Sequence, residues 1–349
     1  MRPGAVHLVV RGFGFGQDVA MKAAVLERLG EPGRFIMREV PDPAPAPGEV
    51  VVEIDAASLN ARDAWIAATP GRVELPAILG SDACGRIVDL GRNVEGAARG
   101  DRVLVYPALY WGTAEDTPAP EWEILGVPHQ GTFAERIALP VENVRPAPAR
   151  LDNFEAAALP LAALTAWRAL VTRGRVAPGQ TVLITGAGSG VATFLVQMAV
   201  TQGARVLVTS STTEKIDRSR ALGAESGVLY TDKEWPEKVG PVDLVVDSAG
   251  APTLEVVFRC LRPGGTYVNF GDTIAGEAHF DVGDLYWYQY NVLGSTMGSP
   301  HDFDVMLEHV TGAEWRPVID SVYPLEELGD AFRRLRAGDR FGKVVVTVG

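Results

Sequence analysis

The sequence predicts an α/β protein in which a β-rich domain accompanies a doubly wound parallel sheet. The chain has 349 residues, more than one typical domain needs. Short β-rich runs separated by turns fill the first part, and apolar strands alternate with helices from about residue 148. We expect the β-rich domain at residues 21–147 and 297–349, the parallel sheet at 148–296, and an extension outside the fold at 1–20.

In the β-rich domain, four runs of β-forming residues are bounded by Gly, Pro, Asp or Asn, which predicts strands. They are residues 22–26, 50–56, 85–90 and 102–106. Residues 107–130 read as a long irregular loop, a feature that is usually functional in a compact domain. Residues 341–348 predict a last strand that returns to this first domain.

In the second part, the Ala/Leu-rich residues 154–173 predict a helix, and strands and helices alternate after it. The predicted strands are residues 181–185, 205–209, 228–230, 243–247, 266–270 and 291–295. The predicted helices are residues 191–202, 213–222 and 254–262. The strand at 291–295 is the candidate edge of the sheet, where a second copy of the chain would pair.

A glycine-rich turn carries the strongest local chemistry. Gly186, Gly188 and Gly190 stand between a strand and a helix, where backbone N–H groups and the helix N-terminus attract a pyrophosphate. Ala192 stands where the usual helix-packing glycine is found, and alanine is tolerated there. This context predicts dinucleotide binding, and the alternative is an ordinary strand–turn–helix unit without a ligand.

The end of the second strand of the sheet favours NADP(H) over NAD(H). An enzyme that binds a ribose 2′-hydroxyl usually has Asp or Glu there, whereas this chain has Ser210 and Ser211, followed by Lys215 and Arg218. Hydroxyls and cations suit a 2′-phosphate, which a carboxylate would repel. The alternative is a hydroxyl-capped helix with a solvated charged face.

Composition excludes several other classes of protein. A net charge of −12 and a pI near 5.0 disfavour nucleic-acid binding. The chain also lacks the polybasic stretch that would favour binding to an anionic membrane surface. Two cysteines, Cys84 and Cys260, are too few for a disulfide scaffold or an all-cysteine zinc site. The five histidines have no ligand-like spacing. We therefore expect a reduced, cytoplasmic enzyme.

Eight short motifs occur in a fixed order, and together they resemble the medium-chain dehydrogenase/reductase superfamily. They occupy residues 47–53, 58–63, 79–85, 100–103, 131–135, 156–167, 247–250 and 342–345. The likeness is greatest to the zinc-independent, quinone-oxidoreductase-like branch. It implies a GroES-like catalytic domain wrapped from both chain ends around a Rossmann domain, with the active site in the cleft between them.

The chain departs from the zinc alcohol dehydrogenases of this superfamily at the metal ligands. Asn60 stands where they carry a cysteine, Ser81 and Asp82 follow Gly80 where they carry Gly-His-Glu, and Ala162 falls near the third ligand. Residues 107–130, which match the lobe that holds their structural zinc, contain no cysteine. One carboxylate is not a zinc site, so we expect no metal.

The resemblance also implies roles for individual residues. Asn60 would lie beside the nicotinamide, Asp63 would order that loop, and Tyr106 is a candidate to donate a hydrogen bond or a proton to the substrate. The implied cofactor contacts are Thr165, Gly186, Gly188, Ser189, Gly190, Val191, Ser210, Ser211, Lys215, Phe270, Gly271, Asp272, Ser295, Thr296, Met297 and Lys343.

These expectations indicate an NADPH-dependent oxidoreductase. Without a metal to stabilise an alkoxide, the preferred acceptor of the hydride is a quinone or a C=C bond conjugated to a carbonyl, which spreads the incoming charge. One alternative is a family member that acts on alcohols or aldehydes, and another is a redox-silent NADPH-binding sensor or scaffold. The expected partners are a small-molecule substrate and further copies of the chain in a dimer or tetramer.

Overall fold

A computed structural model describes residues 20–30 and 32–349, which form two units of different architecture. The first unit contains the described residues up to Pro160, with Ser321–Ala337 and Val344–Gly349, and the second contains Leu161–Asp320 and Gly338–Lys343. The extension expected at residues 1–20 lies outside the described residues except for Ala20, which begins the first strand.

The first stretch of the first unit holds ten strands and two short helices. The strands are β1 (Ala20–Arg28), β2 (Arg34–Pro41), β3 (Glu49–Ser58), β4 (Ala77–Ile78), β5 (Asp82–Leu90), β6 (Arg102–Val105), β7 (Ala108–Leu109), β8 (Glu123–Ile124), β9 (Arg136–Pro140) and β10 (Val144–Pro146). The helices are α1 (Ala61–Ala68) and α2 (Asn153–Ala157), and a 3₁₀ turn covers Val141–Asn143.

The second unit alternates helices and strands, and the chain then returns to the first unit. Its elements are α3 (Pro160–Trp167), a π-helical turn (Arg168–Arg173), β11 (Thr181–Ile184), α4 (Gly190–Thr201), β12 (Arg205–Ser210), α5 (Thr213–Ala221), β13 (Ser226–Leu229), α6 (Trp235–Val239), β14 (Val242–Asp247), α7 (Ala251–Val257), β15 (Leu261–Asn269), α8 (Val282–Trp287), β16 (Asn291–Gly294) and α9 (Pro300–Gly312). The returning elements are β17 (Ile319–Pro324), a 3₁₀ turn (Leu325–Glu327), α10 (Leu328–Arg336) and β18 (Lys343–Thr347).

The main sheet of the first unit has the order β10-β6-β5-β3-β18-β17, with β9 also paired to β3. β18 runs antiparallel to β3, with Val345 opposite Ser58, so the last strand returns to this unit as predicted. The segment 107–130 is not wholly irregular, because β7 and β8 pair within it. The sheet buries Val50, Val52 and Val344 completely and thereby gives the strands a common core.

The second unit is built on a six-stranded sheet in the order β13-β12-β11-β14-β15-β16, with parallel pairing throughout. This confirms the predicted parallel sheet, and β16 lies at its edge as expected. Val182, Leu183 and Ile184 of β11 are all inaccessible to solvent, so both faces of the central strand are covered.

Two predicted helices have different bounds in the structure. The helix expected at 154–173 is divided into α2, α3 and a π-helical turn, because Pro160 has no N–H with which to continue the helix from α2. The helix expected at 254–262 begins at Ala251, where Pro252 suits a first turn, and ends at Val257. Leu261 already belongs to β15, opposite Val242 of β14.

The two units also divide at other positions than we expected. The first boundary follows Pro160 instead of 147 because α2 is held to the β-rich unit: Asn153 accepts a hydrogen bond from Arg102 Nε at 2.8 Å and donates to Asp55 at 3.0 Å. The second follows Asp320 instead of 296 because α9 is tied to the second unit through Asp302 and Arg168. None of the helices in residues 20–30 and 32–349 has the length and apolar character that a membrane span needs.

Candidate active site

In the first unit, three polar side chains meet where β3 ends and β5 begins. Ser58 Oγ and Asn60 Nδ2 each donate to the same carboxylate oxygen of Asp82, at 2.8 Å. The antiparallel register places Ser58 opposite Asp82, so strand pairing itself brings the group together. Ser58 and Asp82 are inaccessible to solvent, whereas Asn60 is 6% exposed. The contact fixes the orientation of the Asn60 amide.

Asp63 organises the start of α1. Its carboxylate accepts a hydrogen bond from the backbone N–H of Asn60 at 2.8 Å, which satisfies a donor that the helix leaves unpaired. Asp63 is completely buried. The contact joins α1 to the residue before it, and the role of Asp63 in ordering the loop stays a prediction.

Arg62 lies next to this cluster. It is not among the site residues that we predicted from the sequence. Its Nη1 donates to Ser81 Oγ and to the Leu125 carbonyl, both at 3.1 Å, and Ser81 Oγ donates to that carbonyl at 2.7 Å. Burial lowers the pKa of the Arg62 guanidinium, and the charges of Asp63 and Asp82 oppose that change. The signal available in the sequence was its place between Asn60 and Asp63.

The residues at the family's metal positions do not fit a zinc ion. Asn60 offers an amide, Ser81 a hydroxyl and Ala162 a methyl group, where zinc sites use thiolate, imidazole or carboxylate. Within residues 20–30 and 32–349, no group of three or more His, Cys, Asp or Glu side chains is arranged to hold a metal.

Three aromatic residues at and after the end of β6, among them the candidate Tyr106, occupy different environments. Tyr106, just after β6, is 2% exposed, and its backbone N–H donates to the Asn143 carbonyl at 2.7 Å. Trp111 is also 2% exposed, and its Nε1 donates to the Ala114 carbonyl at 2.9 Å. Tyr110 is 48% exposed. The proton-donor role of Tyr106 therefore stays a prediction about a buried side chain.

The glycine-rich turn of the second unit has the backbone that its sequence predicts. Gly186 has φ +68° and Gly188 has φ +98°, a region that residues with a Cβ rarely adopt. Ser189 caps α4, because its Oγ accepts from the Ala192 N–H at 3.1 Å. The turn thus leads directly into the positive end of a twelve-residue helix, beginning at Gly190, which fits a pyrophosphate.

Two lysines lie against this turn. A Cβ built on Gly188 would lie 3.0 Å from Cδ of Lys215, and one built on Gly190 would lie 2.7 Å from Cδ of Lys343. Lys343 is only 2% exposed. Lys215 Nζ donates to the Gly338 carbonyl at 2.6 Å. The packing therefore brings two cationic side chains, distant in sequence, to the glycine-rich turn.

The end of β12 presents hydroxyl groups. Ser210 is 1% exposed, and its Oγ accepts from the Thr212 N–H at 3.3 Å, while Ser211 is exposed. Thr212 Oγ1 in turn accepts from the Lys215 N–H at 3.4 Å. The segment thus leads from the strand into α5 without a carboxylate at the strand tip.

Asp247 ties the carboxyl ends of three strands together. It is inaccessible to solvent and accepts hydrogen bonds from the Thr185 hydroxyl, from Tyr267 Oη at 2.8 Å and from the Gly250 N–H at 2.9 Å. These donors come from the ends of β11 and β15 and from the loop after β14. Our list of candidate residues omitted Asp247, although it opens one of the eight motifs.

Three more predicted cofactor residues lie at the same edge of the sheet. Phe270 N–H donates to the Asp247 carbonyl at 2.9 Å, and Ser295 N–H donates to the Asn269 carbonyl at 2.8 Å. The Ser295 hydroxyl is buried without a hydrogen-bond partner in the described part of the chain. A buried, unpaired hydroxyl at this edge suits a polar ligand group. Gly271 lies against the loop that follows β14, since a Cβ built on Gly271 would be 3.2 Å from the Ser248 carbonyl oxygen.

Five other predicted contacts differ in exposure. Asp272 and Thr296 are exposed, whereas Thr165 is 6% exposed and Met297 is 4% exposed with φ +45°. The segment after β16 packs on α3, since a Cβ on Gly298 would lie 2.3 Å from Cδ1 of the residue before Thr165. Val191, in the first turn of α4, is half-buried.

Two family models match the chain. Residues 46–149 match the alcohol dehydrogenase GroES-like domain, and residues 190–312 match the zinc-binding dehydrogenase family. These matches fall in the first and second units respectively, and they confirm the predicted fold of a GroES-like domain and a Rossmann domain.

Two curated proteins are similar to the chain over nearly all of their own length. A zinc-type alcohol dehydrogenase-like protein YogA of Leptosphaeria maculans is 32% identical, over 88% of this chain and 93% of its own. An acryloyl-coenzyme A reductase of Sulfurisphaera tokodaii is 28% identical, over 93% of this chain and 99% of its own. Among solved structures, an NAD-dependent alcohol dehydrogenase is 38% identical and aligns with a TM-score of 0.89, over 94% of this chain and all of its own.

Proposed function

The chain belongs to the medium-chain dehydrogenase/reductase superfamily, and from this premise we propose that it transfers hydride from NADPH to a quinone or to a C=C bond conjugated with a carbonyl, without catalytic zinc. One observation carries the proposal: Asn60 donates to the carboxylate of Asp82 and Arg62 donates to the hydroxyl of Ser81, so this part of the first unit offers an amide and a guanidinium as donors. These groups can donate hydrogen bonds to a developing oxyanion but do not make a zinc ligand set.

A bound NADPH supplies the hydride, and the residues of the chain bind it and steady the acceptor. The glycine-rich turn and the start of α4 would hold the pyrophosphate, and Ser210, Ser211 and Lys215 would hold the 2′-phosphate. Asn60, oriented by Asp82, would lie beside the reacting groups. Hydrogen-bond donors of this kind support a charge that conjugation already spreads.

The relatives support the conjugated acceptor in particular. The name acryloyl-coenzyme A reductase describes reduction of a C=C bond next to a thioester carbonyl, and that relative matches 93% of this chain. A second candidate function is oxidation of alcohols or reduction of aldehydes. It is favoured by the NAD-dependent alcohol dehydrogenase structure, which is 38% identical to the chain.

A rate assay after dialysis against a chelator distinguishes the two functions. We expect the purified protein to oxidise NADPH with a quinone or an enone, and the rate to be unchanged by the dialysis. A simple aldehyde serves as the comparison acceptor. Turnover of the aldehyde alone, restored only by added zinc, would contradict the proposal. Tight NADPH binding without turnover of any acceptor would instead indicate a sensor or scaffold.

The cofactor preference is tested at Lys215. We expect Lys215→Met, which keeps the aliphatic stem over Gly188, to raise the Kd for NADPH about 10- to 100-fold, because a charge-assisted bond contributes about 1.5–3 kcal/mol. The Kd for NADH should stay within about twofold. Lys233→Met, at an exposed lysine of the same unit, is the matched control. Equal weakening of both cofactors would show that Lys215 does not read the 2′-phosphate.

A further inference from the structure

We propose that Arg62 is a catalytic residue that donates a hydrogen bond to the carbonyl oxygen of the acceptor and stabilises the negative charge that develops there. The inference deepens the proposed function and rests on it. Arg62 lies in the first turn of α1, two residues after Asn60. The guanidinium would thus perform, with hydrogen bonds, the electrophilic task that a metal ion performs elsewhere.

The hydrogen bonds of Arg62 leave donors available. Nη1 is engaged by Ser81 Oγ and the Leu125 carbonyl, while Nε and Nη2 have no hydrogen-bond partner among residues 20–30 and 32–349. Ser81 is completely buried and donates to the same Leu125 carbonyl, so the two groups that accept from Nη1 are held in place by each other. Because a guanidinium presents its donors in a planar fork, fixing one nitrogen fixes the direction of the others.

The charge of Arg62 suits an oxyanion. The side chain is half-buried, and a donor that is partly shielded from water interacts more strongly with a developing charge than a fully exposed one does. Asp63 and Asp82, both inaccessible to solvent, keep the guanidinium in its charged form. Ser81 stands where the resemblance places a histidine ligand of the metal, and Arg62 donates a hydrogen bond to its hydroxyl.

The step balances with the groups already named. Hydride adds to the β-carbon of the conjugated acceptor, the π electron pair moves toward the carbonyl, and the oxygen becomes an enolate. Arg62 donates a hydrogen bond to this oxygen and keeps its own proton. Solvent then supplies a proton to the α-carbon. The acceptor gains two electrons and two hydrogens, and the nicotinamide is oxidised.

The kinetic test compares Arg62→Gln and Arg62→Lys with Arg99→Gln, a control at an exposed arginine of the same unit. We expect Arg62→Gln to lower kcat about 10²- to 10³-fold, the usual loss when one oxyanion donor is removed. The KM for the acceptor and the Kd for NADPH should stay close to wild type, because the lost interaction with the acceptor belongs to the transition state. Arg62→Lys should recover part of kcat.

A binding test does not depend on turnover. 4-Nitrophenol resembles an enol that ionises, and its phenolate absorbs visible light. We expect its pKa to fall on binding to the wild-type protein and to Arg62→Lys, and to fall less on binding to Arg62→Gln. An equal pKa in all three, or no binding to any of them, would overturn the proposal, as would a wild-type kcat in Arg62→Gln.

The two assays separate this inference from the proposed function. If the wild type reduces no conjugated acceptor, the proposed function fails, and the phenolate assay still decides whether Arg62 stabilises an oxyanion. If Arg62→Gln raises KM for acidic acceptors alone and leaves kcat unchanged, Arg62 binds a substrate carboxylate, and its proposed catalytic role is wrong.

Discussion

Replacing Asp302 by alanine is expected to lower the free energy of unfolding by about 3–5 kcal/mol, because the change strands a buried cation. Arg168 and Asp302 form an ion pair in the second unit, and they are only 2% and 4% exposed. The Asp302 carboxylate also accepts from Thr172 Oγ1 at 2.5 Å and from the Ser299 N–H at 3.0 Å. Its loss leaves several buried donors without a partner.

Urea unfolding of the variant checks this expectation. The double variant Arg168→Met/Asp302→Leu removes both charges and should recover part of the stability, because no unpaired charge stays buried, whereas the Thr172 hydroxyl and the Ser299 N–H still lack their acceptor. Glu225→Ala, which breaks the exposed pair with Arg205, is the matched control and should leave the unfolding midpoint almost unchanged. A midpoint of Asp302→Ala equal to that of the control would contradict the expectation.

The second large effect is expected in cofactor binding. Gly190→Val should raise the Kd for NADPH about 10²-fold, which corresponds to the loss of about one hydrogen bond to a charged pyrophosphate oxygen. The new Cβ would lie 2.7 Å from Cδ of Lys343, a side chain that is 2% exposed and has little room to withdraw. The start of α4 must therefore shift at the point where the pyrophosphate is expected.

Fluorescence titration with NADPH measures this effect. Gly312→Val is the matched control, because a Cβ at Gly312 meets no atom within 4 Å and the residue ends α9. Its Kd should equal that of the wild type. If Gly190→Val binds NADPH within threefold of the wild type while its melting temperature is unchanged, the glycine-rich turn does not hold the pyrophosphate.

Patterns contained within a short stretch of chain were predictable. The strands of the parallel sheet, the glycine-rich turn and the edge strand β16 follow from apolar runs, turn residues and a helix start that lie side by side in the sequence. The helix bounds around Pro160 and Leu261 were less accurate, because the same Ala-, Leu- and Val-rich residues suit either a helix or a buried strand until their neighbours are known.

The sequence by itself determined the fold class, the position of the glycine-rich turn and the residue types at the metal positions of the resemblance, since each depends on residue identity and local order. Only the tertiary structure decided that Arg62 reaches Ser81, that Asp82 holds Ser58 and Asn60, and that Lys343 packs against Gly190. Those contacts join residues far apart along the chain. Strand register and side-chain packing set them, and neither can be read from the spacing of the residues.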